Sequence, residues 1–213
     1  MNIAIKFCGL TQKQDITAAA AAGADYVGFV FFEKSPRHVS LAAARALALD
    51  VPPEIVKVGL FVNPHDAELD AVVAHAPIDM LQLHGTESPE RVSDIRARYG
   101  LPVIKAVGIG DANDVPALTT HSAVADQVLV DARAPEHSNR PGGNGVSFDW
   151  RLIADLHLPV PWMLSGGLTA DNVAQAIRLT HARQVDVSSG IETAPGEKDP
   201  AKIAAFAAAV AEI

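Results

Sequence analysis

The stretch WMLSGGLTADNVAQAIRLTHARQVDVSSG, residues 162–190, has the pattern of a strand, a turn, a helix and a second strand. Two short apolar runs, Trp162–Ser165 and Val185–Ser188, flank a segment in which Thr169 can cap a helix over Ala170–Thr180. Both runs are continuous rather than alternating in apolar residues, which is typical of parallel strands covered on both faces. The stretch therefore predicts a β-α-β unit with parallel strands.

Similar units recur along the rest of the chain. The six preceding strands are predicted at Ile3–Cys8, Tyr26–Phe31, Val56–Val62, Met80–His84, Val103–Val107 and Val128–Asp131. Eight strand–helix repeats without a break in composition predict one α/β domain over residues 1–213. With eight units we expect a (β/α)8 TIM barrel near the minimum length of ~200 residues. A doubly wound open sheet is the alternative.

Helix boundaries are predicted from capping residues and prolines. Gly100 is expected to end a helix, and the first helix is expected to run to Gly23. Helix starts are predicted at Thr11, Ser40, Asn63–Pro64, Ser88–Pro89, Thr169 and Asp199–Pro200.

Composition narrows the class of protein. Of 213 residues, 49% are hydrophobic and 20% charged, which is ordinary for a globular protein. The net charge of −8 provides no basic patch for nucleic acid or an anionic membrane. The N-terminus enters a strand at once, without the pattern of a secretory signal. The single cysteine excludes an internal disulfide and fits a reducing compartment, so we expect a cytoplasmic protein.

The ends of the predicted strands carry the candidate catalytic residues, because barrel enzymes place their chemistry there. Cys8 ends the first strand and Asp131 the sixth, although a buried apolar cysteine and a helix-capping aspartate are the plain alternatives. Gln82 and His84 share a parity that can point both inward, as a polar barrel layer or as catalytic groups. Arg37 is either an ordinary loop cation or a partner for an anionic substrate.

Two glycine turns predict an anion site. Gly166 and Gly167 follow the seventh strand, and Ser189 and Gly190 follow the eighth. Glycines allow backbone N–H groups to approach a ligand, and barrels often bind phosphate with these two loops. A third glycine cluster, Gly142–Gly145, lies in the longest connection and suggests a mobile flap.

The sequence contains no recognisable signature of a cofactor or metal site. The turn after the first strand is not the glycine-rich fingerprint of dinucleotide binding, and no histidine–carboxylate cluster has recognisable metal spacing. We therefore expect neither a cofactor nor a metal.

The chain resembles the phosphoribosylanthranilate isomerases of tryptophan biosynthesis. The motifs that carry the resemblance span essentially the whole chain: IKFCGLT, YVGFVFFEKSPRHVS, VGLFVN, LQLHG, LVDA, GGNGVSFDW, LSGGLTADNV and VDVSSGIE. One departure lies in the flap, where relatives commonly have Ser or Thr in place of Asn144 and a cation in place of Val146.

The resemblance implies an Amadori rearrangement of a phosphorylated aminosugar, with Cys8 as general base and Asp131 as general acid. It also implies that Arg37 and Asp186 contact the substrate and that the two glycine turns hold its phosphate. For these roles we expect the pKa of Cys8 to be lowered, and Asp131 to hold a proton that an ordinary carboxyl group would lose at neutral pH.

The alternatives are a sister phosphoribosyl barrel that uses two aspartates and a non-catalytic sugar-phosphate-binding barrel. The thiol at the first strand argues against the sister barrel, because such sites place an aspartate there. The sequence leaves open whether the protein is a monomer or a homodimer.

Overall fold

A computed structural model of the chain describes residues 3–135, 137–138 and 140–213. Eight parallel strands form a closed barrel in chain order, and the eighth strand pairs with the first. The strands are β1 Ala4–Cys8, β2 Tyr26–Val30, β3 Val56–Phe61, β4 Met80–Leu83, β5 Val103–Ile109, β6 Gln127–Ala132, β7 Trp162–Leu164 and β8 Gln184–Val187. The predicted TIM barrel is confirmed, and the open-sheet alternative is wrong because the ring of strands closes.

Helices connect the strands on the outside of the barrel. Over the described residues they are α1 Lys13–Ala21, α2 Leu41–Asp50, α3 Asp66–His75, α4 Pro89–Tyr99, α5 Val115–Ser122, α6 Val173–Thr180 and α7 Pro200–Ala211. A small hairpin of β9 Glu192–Ala194 and β10 Glu197–Lys198 precedes α7. Within this part of the chain, no helix has both the length and the apolar character needed to cross a membrane.

The connection between β6 and β7 departs from the regular repeat. Its described residues contain a single turn of 3-10 helix, Trp150–Ile153, where a full helix was expected. Pro135, Pro141 and the glycines of residues 142–145 lie in this connection, and both residue types disfavour an α-helix. The segment therefore remains a long loop at the mouth of the barrel.

Four predicted helix boundaries are confirmed. The Oγ atoms of Ser40 and Ser88 accept hydrogen bonds from the N–H groups three residues later, both at 3.3 Å. Asp199 accepts from Ala201 N–H at 2.8 Å, and Gly100 ends α4 in the left-handed conformation. These local signals work because each satisfies a backbone group that the helix end would leave unpaired.

Asn63 does not cap a helix as predicted. Its φ of 49° is left-handed, and its Oδ1 accepts a hydrogen bond from Thr86 N–H at 2.8 Å across the neighbouring loop. The side chain thus joins the β3–α3 loop to the β4–α4 loop, and α3 begins later, at Asp66.

Two more helices begin after their predicted starts. Asp15 accepts hydrogen bonds from the N–H groups of Thr11 and Gln12, both at 3.0 Å, so α1 begins at Lys13. Asn172 accepts from Thr169 N–H at 2.8 Å, which organises a turn before α6. In both places a side chain further along the chain accepts a hydrogen bond from the N–H of the threonine that was expected to cap the helix. The first helix also ends before Gly23, at Ala21.

The interior of the barrel is apolar toward the amino ends of the strands, called the lower half here, and polar toward their carboxyl ends. Alternate strand residues point inward. The lower layer is a cluster of Val58, Met80, Ile104, Ala106, Leu129 and Met163. Above it lie the buried polar side chains of Lys6, Gln82 and Asp186. The polar half of the interior therefore faces the carboxyl ends of the strands.

The last helix holds the seam where the barrel closes. Strand β8 pairs with β1 in a register that places Lys6 opposite Asp186. Outside this seam, Phe206 of α7 packs edge-on against Phe7 of β1, with ring centroids 6.2 Å apart. Both rings are fully buried. The C-terminal helix thus packs against the first strand of the chain.

We expect Phe206→Ala to lower the free energy of unfolding by about 3–5 kcal/mol, because it removes a buried ring and leaves a cavity at the seam. Chemical denaturation monitored by circular dichroism measures the change. The control is Ala205→Ser on the exposed side of the same helix, which should stay within about 0.5 kcal/mol of the parent. Equal losses in the two variants would contradict the packing role of Phe206.

Candidate active site

A cavity of about 740 Å³, measured to its open mouth, lies at the carboxyl ends of the strands. Cys8, Arg37, Asp131 and Asp186 all line it, together with the glycine turns after β7 and β8. The barrel thus brings together every residue that the sequence placed in the site except Gly190, which lies just behind the wall.

Cys8 ends β1 and is 4% exposed, with its side chain in the wall of the cavity. It packs against Val30 and Leu60, so it is both a buried apolar residue and a cavity residue. Burial raises the pKa of the Cys8 thiol, Lys6 and Lys198 oppose that rise, and the Asp186 carboxylate adds to it. The expectation of a lowered pKa is therefore wrong for the structure as it stands, because desolvation outweighs the nearby cations.

Asp186 is tied to two neighbours inside the barrel. Its Oδ1 lies 2.7 Å from Nζ of Lys6, and its Oδ2 accepts a hydrogen bond from Ser165 Oγ at 3.0 Å. Lys6 is fully buried, and burial lowers its pKa, but Asp186 and Cys8 together raise it more, so the ammonium stays charged. Asp186 therefore enters the cavity wall as one half of a buried ion pair.

Asp131 lies at the end of β6 and is held at both carboxyl oxygens. Oδ1 accepts a hydrogen bond from Ala132 N–H at 2.8 Å, and Oδ2 lies 3.0 Å from His84 Nε2. His84 Nδ1 in turn lies 2.9 Å from the amide nitrogen of Gln82. If that amide donates to Nδ1, the ring proton sits on Nε2 and points at Asp131. The inward parity predicted for Gln82 and His84 is confirmed, and Asp131 does not cap a helix.

Arg37 is buried and makes a two-point contact with Glu192. Its Nε and one Nη donate to the two carboxylate oxygens at 2.7 and 2.8 Å. Lys198 also donates to Glu192, at 2.7 Å. Burial tends to raise the pKa of Glu192, but its hydrogen bonds with Arg37 and Lys198 lower it overall, so the carboxylate keeps its charge. Arg37 is thus a fixed cation in the cavity wall rather than a loose loop residue.

The two glycine turns have the backbone that their sequences suggested. Gly166 and Gly167 have φ of 91° and 63°, a region that L-residues other than glycine rarely adopt. Among the described residues, their N–H groups donate to no acceptor. At Gly190, a β-carbon would collide with the carbonyl of Leu168, so the turn after β8 packs directly on the turn after β7. The two turns form one continuous rim.

The loop of residues 140–146 covers part of the cavity. A β-carbon on Gly142 would lie 2.6 Å from His84 Nε2 and 2.9 Å from Asp131 Oδ2, so the backbone passes directly over these side chains. The carbonyl of Gly143 accepts a hydrogen bond from Arg37 at 3.3 Å. Asn144 accepts from Ser138 Oγ at 3.0 Å, within the loop itself. The predicted flap therefore lies over the site, and its mobility stays a prediction.

Over the described ranges, no group of three or more His, Cys, Asp or Glu side chains is arranged to hold a metal ion. The two acidic side chains that line the cavity, Asp131 and Asp186, are bound by His84 and Lys6 instead.

The amino-acid sequence of the chain is similar to those of known proteins over nearly its whole length. A sequence model described as N-(5'-phosphoribosyl)anthranilate (PRA) isomerase matches residues 5–209. The N-(5'-phosphoribosyl)anthranilate isomerase of Cereibacter sphaeroides is 60% identical over 205 residues, 96% of this chain and 97% of the relative. That of Paracoccus denitrificans is 57% identical over 208 residues, 98% of this chain and 97% of the relative.

The chain belongs to the PRA isomerase family.

Solved structures agree with the sequence relatives. The phosphoribosyl anthranilate isomerase of Thermotoga maritima superposes with a TM-score of 0.88 at 35% identity, covering 99% of this chain and 100% of that one. A phosphoribosyl anthranilate isomerase bound to reduced 1-(o-carboxyphenylamino)-1-deoxyribulose 5-phosphate superposes with a TM-score of 0.85 at 33% identity, with the same coverage.

For this PRA isomerase family member, sequence reasoning missed several site residues. Lys6 was passed over as part of an apolar strand, although its parity with Cys8 indicates that it points inward. Glu192 lies in the SSGIE motif, yet nothing local shows that it pairs with Arg37, which is 155 residues away. Such partners can be recognised only in the closed barrel, because residues far apart in sequence come together there.

The raised pKa of Cys8 predicts slow thiol chemistry in the free protein. A raised pKa means that the thiol keeps its proton to higher pH, so the reactive thiolate forms only above the ~8.5 of an ordinary cysteine. The rate of alkylation by iodoacetamide, followed against pH, should therefore reach half its maximum above about 8.5. Because Cys8 is the only cysteine of the chain, the alkylation measured comes from this residue alone. A midpoint below that of a cysteine-containing peptide would contradict this reasoning.

Proposed function

We propose that this PRA isomerase family member converts N-(5'-phosphoribosyl)anthranilate into 1-(o-carboxyphenylamino)-1-deoxyribulose 5-phosphate, a step of tryptophan biosynthesis. The observation that carries the proposal is one cavity lined by a thiol, a carboxyl group and a glycine-rich anion rim. The reaction is an aldose–ketose isomerisation that moves protons and needs no redox step. The chain supplies one side chain for each proton movement.

Asp131 is the proposed general acid. It gives a proton to the ring oxygen of the sugar, the ring C–O bond breaks, and the nitrogen lone pair forms a protonated Schiff base at the first carbon. The carboxyl group is aimed by its bonds to Ala132 N–H and His84, and the loop at Gly142 shields it from water.

Cys8 is the proposed general base. It removes the proton from the second sugar carbon, and the C–H electron pair forms a double bond to the first carbon as the iminium nitrogen is neutralised. The enolamine then takes a proton at the first carbon while the hydroxyl group on the second carbon loses its proton, which gives the ketone. The raised pKa of Cys8 in the free protein opposes this step, whereas the cationic Schiff base formed beside it favours the thiolate.

Arg37 and Asp186 are the proposed substrate contacts. Because Glu192 fixes two donors of the Arg37 guanidinium, the remaining Nη1 donors are held in one orientation toward the cavity and suit the anthranilate carboxylate. Asp186 is a hydrogen-bond acceptor in the wall for a sugar hydroxyl group.

The phosphate is proposed to bind at the rim formed by Gly166, Gly167, Ser189 and Gly190. Left-handed glycines present backbone N–H groups toward an anion, and a side chain at these places would collide with backbone. No metal and no cofactor enter the proposal.

We also propose a cytoplasmic location, because the proposed base must stay a reduced thiol and the cytoplasm keeps thiols reduced. The proposed partner is this phosphorylated aminosugar rather than nucleic acid. The protein is proposed to act as a monomer or a homodimer, since the cavity is lined by one copy of the chain.

We expect Cys8→Ala and Asp131→Asn each to lower kcat by at least ~10²-fold with little change in ligand affinity, because each removes one proton-transfer group. Loss of anthranilate fluorescence measures turnover. The control is Asp155→Asn, an exposed carboxyl group outside the cavity, which should keep normal turnover. A parent protein that binds the substrate but leaves the fluorescence unchanged would instead be a non-catalytic sugar-phosphate-binding barrel.

We expect Gly167→Asp to weaken binding of the phosphorylated product, because it adds an anion and a β-carbon where the backbone packs on residues 146 and 147. The matched control is Gly23→Asp, which adds the same charge at a similar positive φ with no atom within 4 Å of the new β-carbon. Isothermal titration measures both dissociation constants. Equal affinities in the two variants would move the phosphate away from Gly167.

A further inference from the structure

Lys6 is a buried charge that the proposed mechanism does not use. Its side chain is 0% exposed and points into the barrel from β1, two residues before Cys8. Placing an ammonium group in a barrel interior costs free energy even when it is paired, and an apolar pair of similar volume is often as stable. The pairing of β1 with β8 is made by the backbone and does not need this charge. This cost indicates that the ammonium group of Lys6 has a function other than holding the strands together.

The ammonium lies beside the thiol as well as beside Asp186. Gly28 on the neighbouring strand lies opposite Cys8 in the sheet register. A β-carbon on Gly28 would lie 2.9 Å from Cys8 Sγ and 3.3 Å from Lys6 Nζ. Both groups therefore occupy the space that the missing side chain leaves. Asp186 holds the ammonium in place from the other side, at 2.7 Å.

We propose that Lys6 is a positioning residue for proton abstraction: its ammonium, anchored by Asp186, is the fixed cation that stabilises the Cys8 thiolate. The inference rests on the proposed role of Cys8 as general base. Lys6 stays protonated throughout. The thiolate takes the proton from the second sugar carbon as the S–H bond forms, and the electron pair of the C–H bond neutralises the iminium nitrogen. The ammonium thus offsets the negative charge on sulfur before the transfer.

The charges around Cys8 support this assignment. Lys6 comes from β1, Asp186 from β8 and Lys198 from the hairpin after β8. Strand β2 contains no acidic or basic residue and presents Gly28 and Val30. Burial raises the pKa of Cys8, and among the charged groups Lys6 opposes the rise most strongly. Lys198 acts in the same direction but less strongly.

The remaining charges of the cavity are committed elsewhere. Arg37 is bound to Glu192, His84 to Asp131 across the mouth, and Arg140 to Asn144 within the loop. None of the three is among the groups that shift the pKa of Cys8. Lys6 is therefore the principal cation available to a thiolate at this position among the described residues.

A second buried ion pair provides a matched control. Lys105 and Glu87 are as buried as Lys6 and Asp186, with Nζ and Oε2 2.9 Å apart. Lys105 also donates to the carbonyls of Gly85 and Ala106, and Glu87 accepts from the N–H groups of Asn63 and Gly85. This pair does not influence the pKa of Cys8. Replacing it tests the general effect of removing buried charge from the barrel.

The experiment is the pH dependence of Cys8 alkylation by iodoacetamide in four proteins: the parent, Lys6→Met, Asp186→Asn and the double variant Lys6→Met with Asp186→Asn. Removing an opposite charge beside a thiol raises its pKa by about 1 unit or more, so Lys6→Met should slow alkylation about tenfold at about pH 8. Asp186→Asn removes an anion and should shift the midpoint the other way, to lower pH.

The double variant separates electrostatics from folding. It contains no unpaired buried charge, so it keeps a folded barrel even if Lys6→Met does not. Because Lys6 affects the Cys8 pKa more strongly than Asp186 does, its midpoint should still lie above that of the parent. Lys105→Met with Glu87→Gln should leave the midpoint unchanged. The proposal is overturned by an unchanged midpoint in the double variant, by an upward shift in Asp186→Asn, or by an equal shift in the control.

The outcome is independent of the proposed reaction, because alkylation needs no substrate. A parent protein without turnover but with the predicted midpoints would remove the isomerase assignment and keep the pairing of Lys6 with Cys8. Normal turnover with unchanged midpoints would keep the isomerase assignment and remove the proposed role of Lys6. Where the variants fold, kcat of Lys6→Met should also recover with rising pH, which a merely structural role for Lys6 would not produce.

Discussion

The buried ion pair between Lys6 and Asp186 joins the first strand of the barrel to the last. Its 2.7 Å contact lies at the seam where β8 pairs with β1, and the same carboxylate accepts a hydrogen bond from Ser165, the residue after β7. A closed barrel has no free strand edge, so the seam is where its closure is decided. The pair sits directly beneath the mouth, and its geometry sets the surroundings of Cys8.

Other charged side chains near the carboxyl ends of the strands are also held by partners. Asp131 is held by His84, and Arg37 by Glu192, each across a long separation in sequence. Preorganised charges cost no rearrangement at the moment of reaction, which is a main source of catalytic power. The glycine turns add backbone N–H groups where side chains would not fit, so the anion rim and the proton-transfer groups line one cavity.

The sequence predicts the barrel well, because apolar runs of regular spacing and local caps such as Ser88 and Gly100 are short-range signals. It predicts the positions of Cys8 and Asp131, since a strand end fixes which side of the barrel a residue faces. Helix starts fail where a competing side chain intervenes, as Asn63 binds the neighbouring loop instead of capping α3. The pKa of Cys8 was predicted in the wrong direction because burial around β1 is a property of the closed barrel, not of the motif.

The central claim is that the thiol of Cys8 lies in the same cavity that binds the phosphorylated ligand. The direct measurement is the rate of Cys8 alkylation with increasing concentrations of reduced 1-(o-carboxyphenylamino)-1-deoxyribulose 5-phosphate. The account predicts that the rate falls in proportion to ligand occupancy and reaches background at saturation, whereas inorganic phosphate, confined to the rim, leaves most of the reactivity. An alkylation rate that stays constant while the ligand saturates the protein would contradict it.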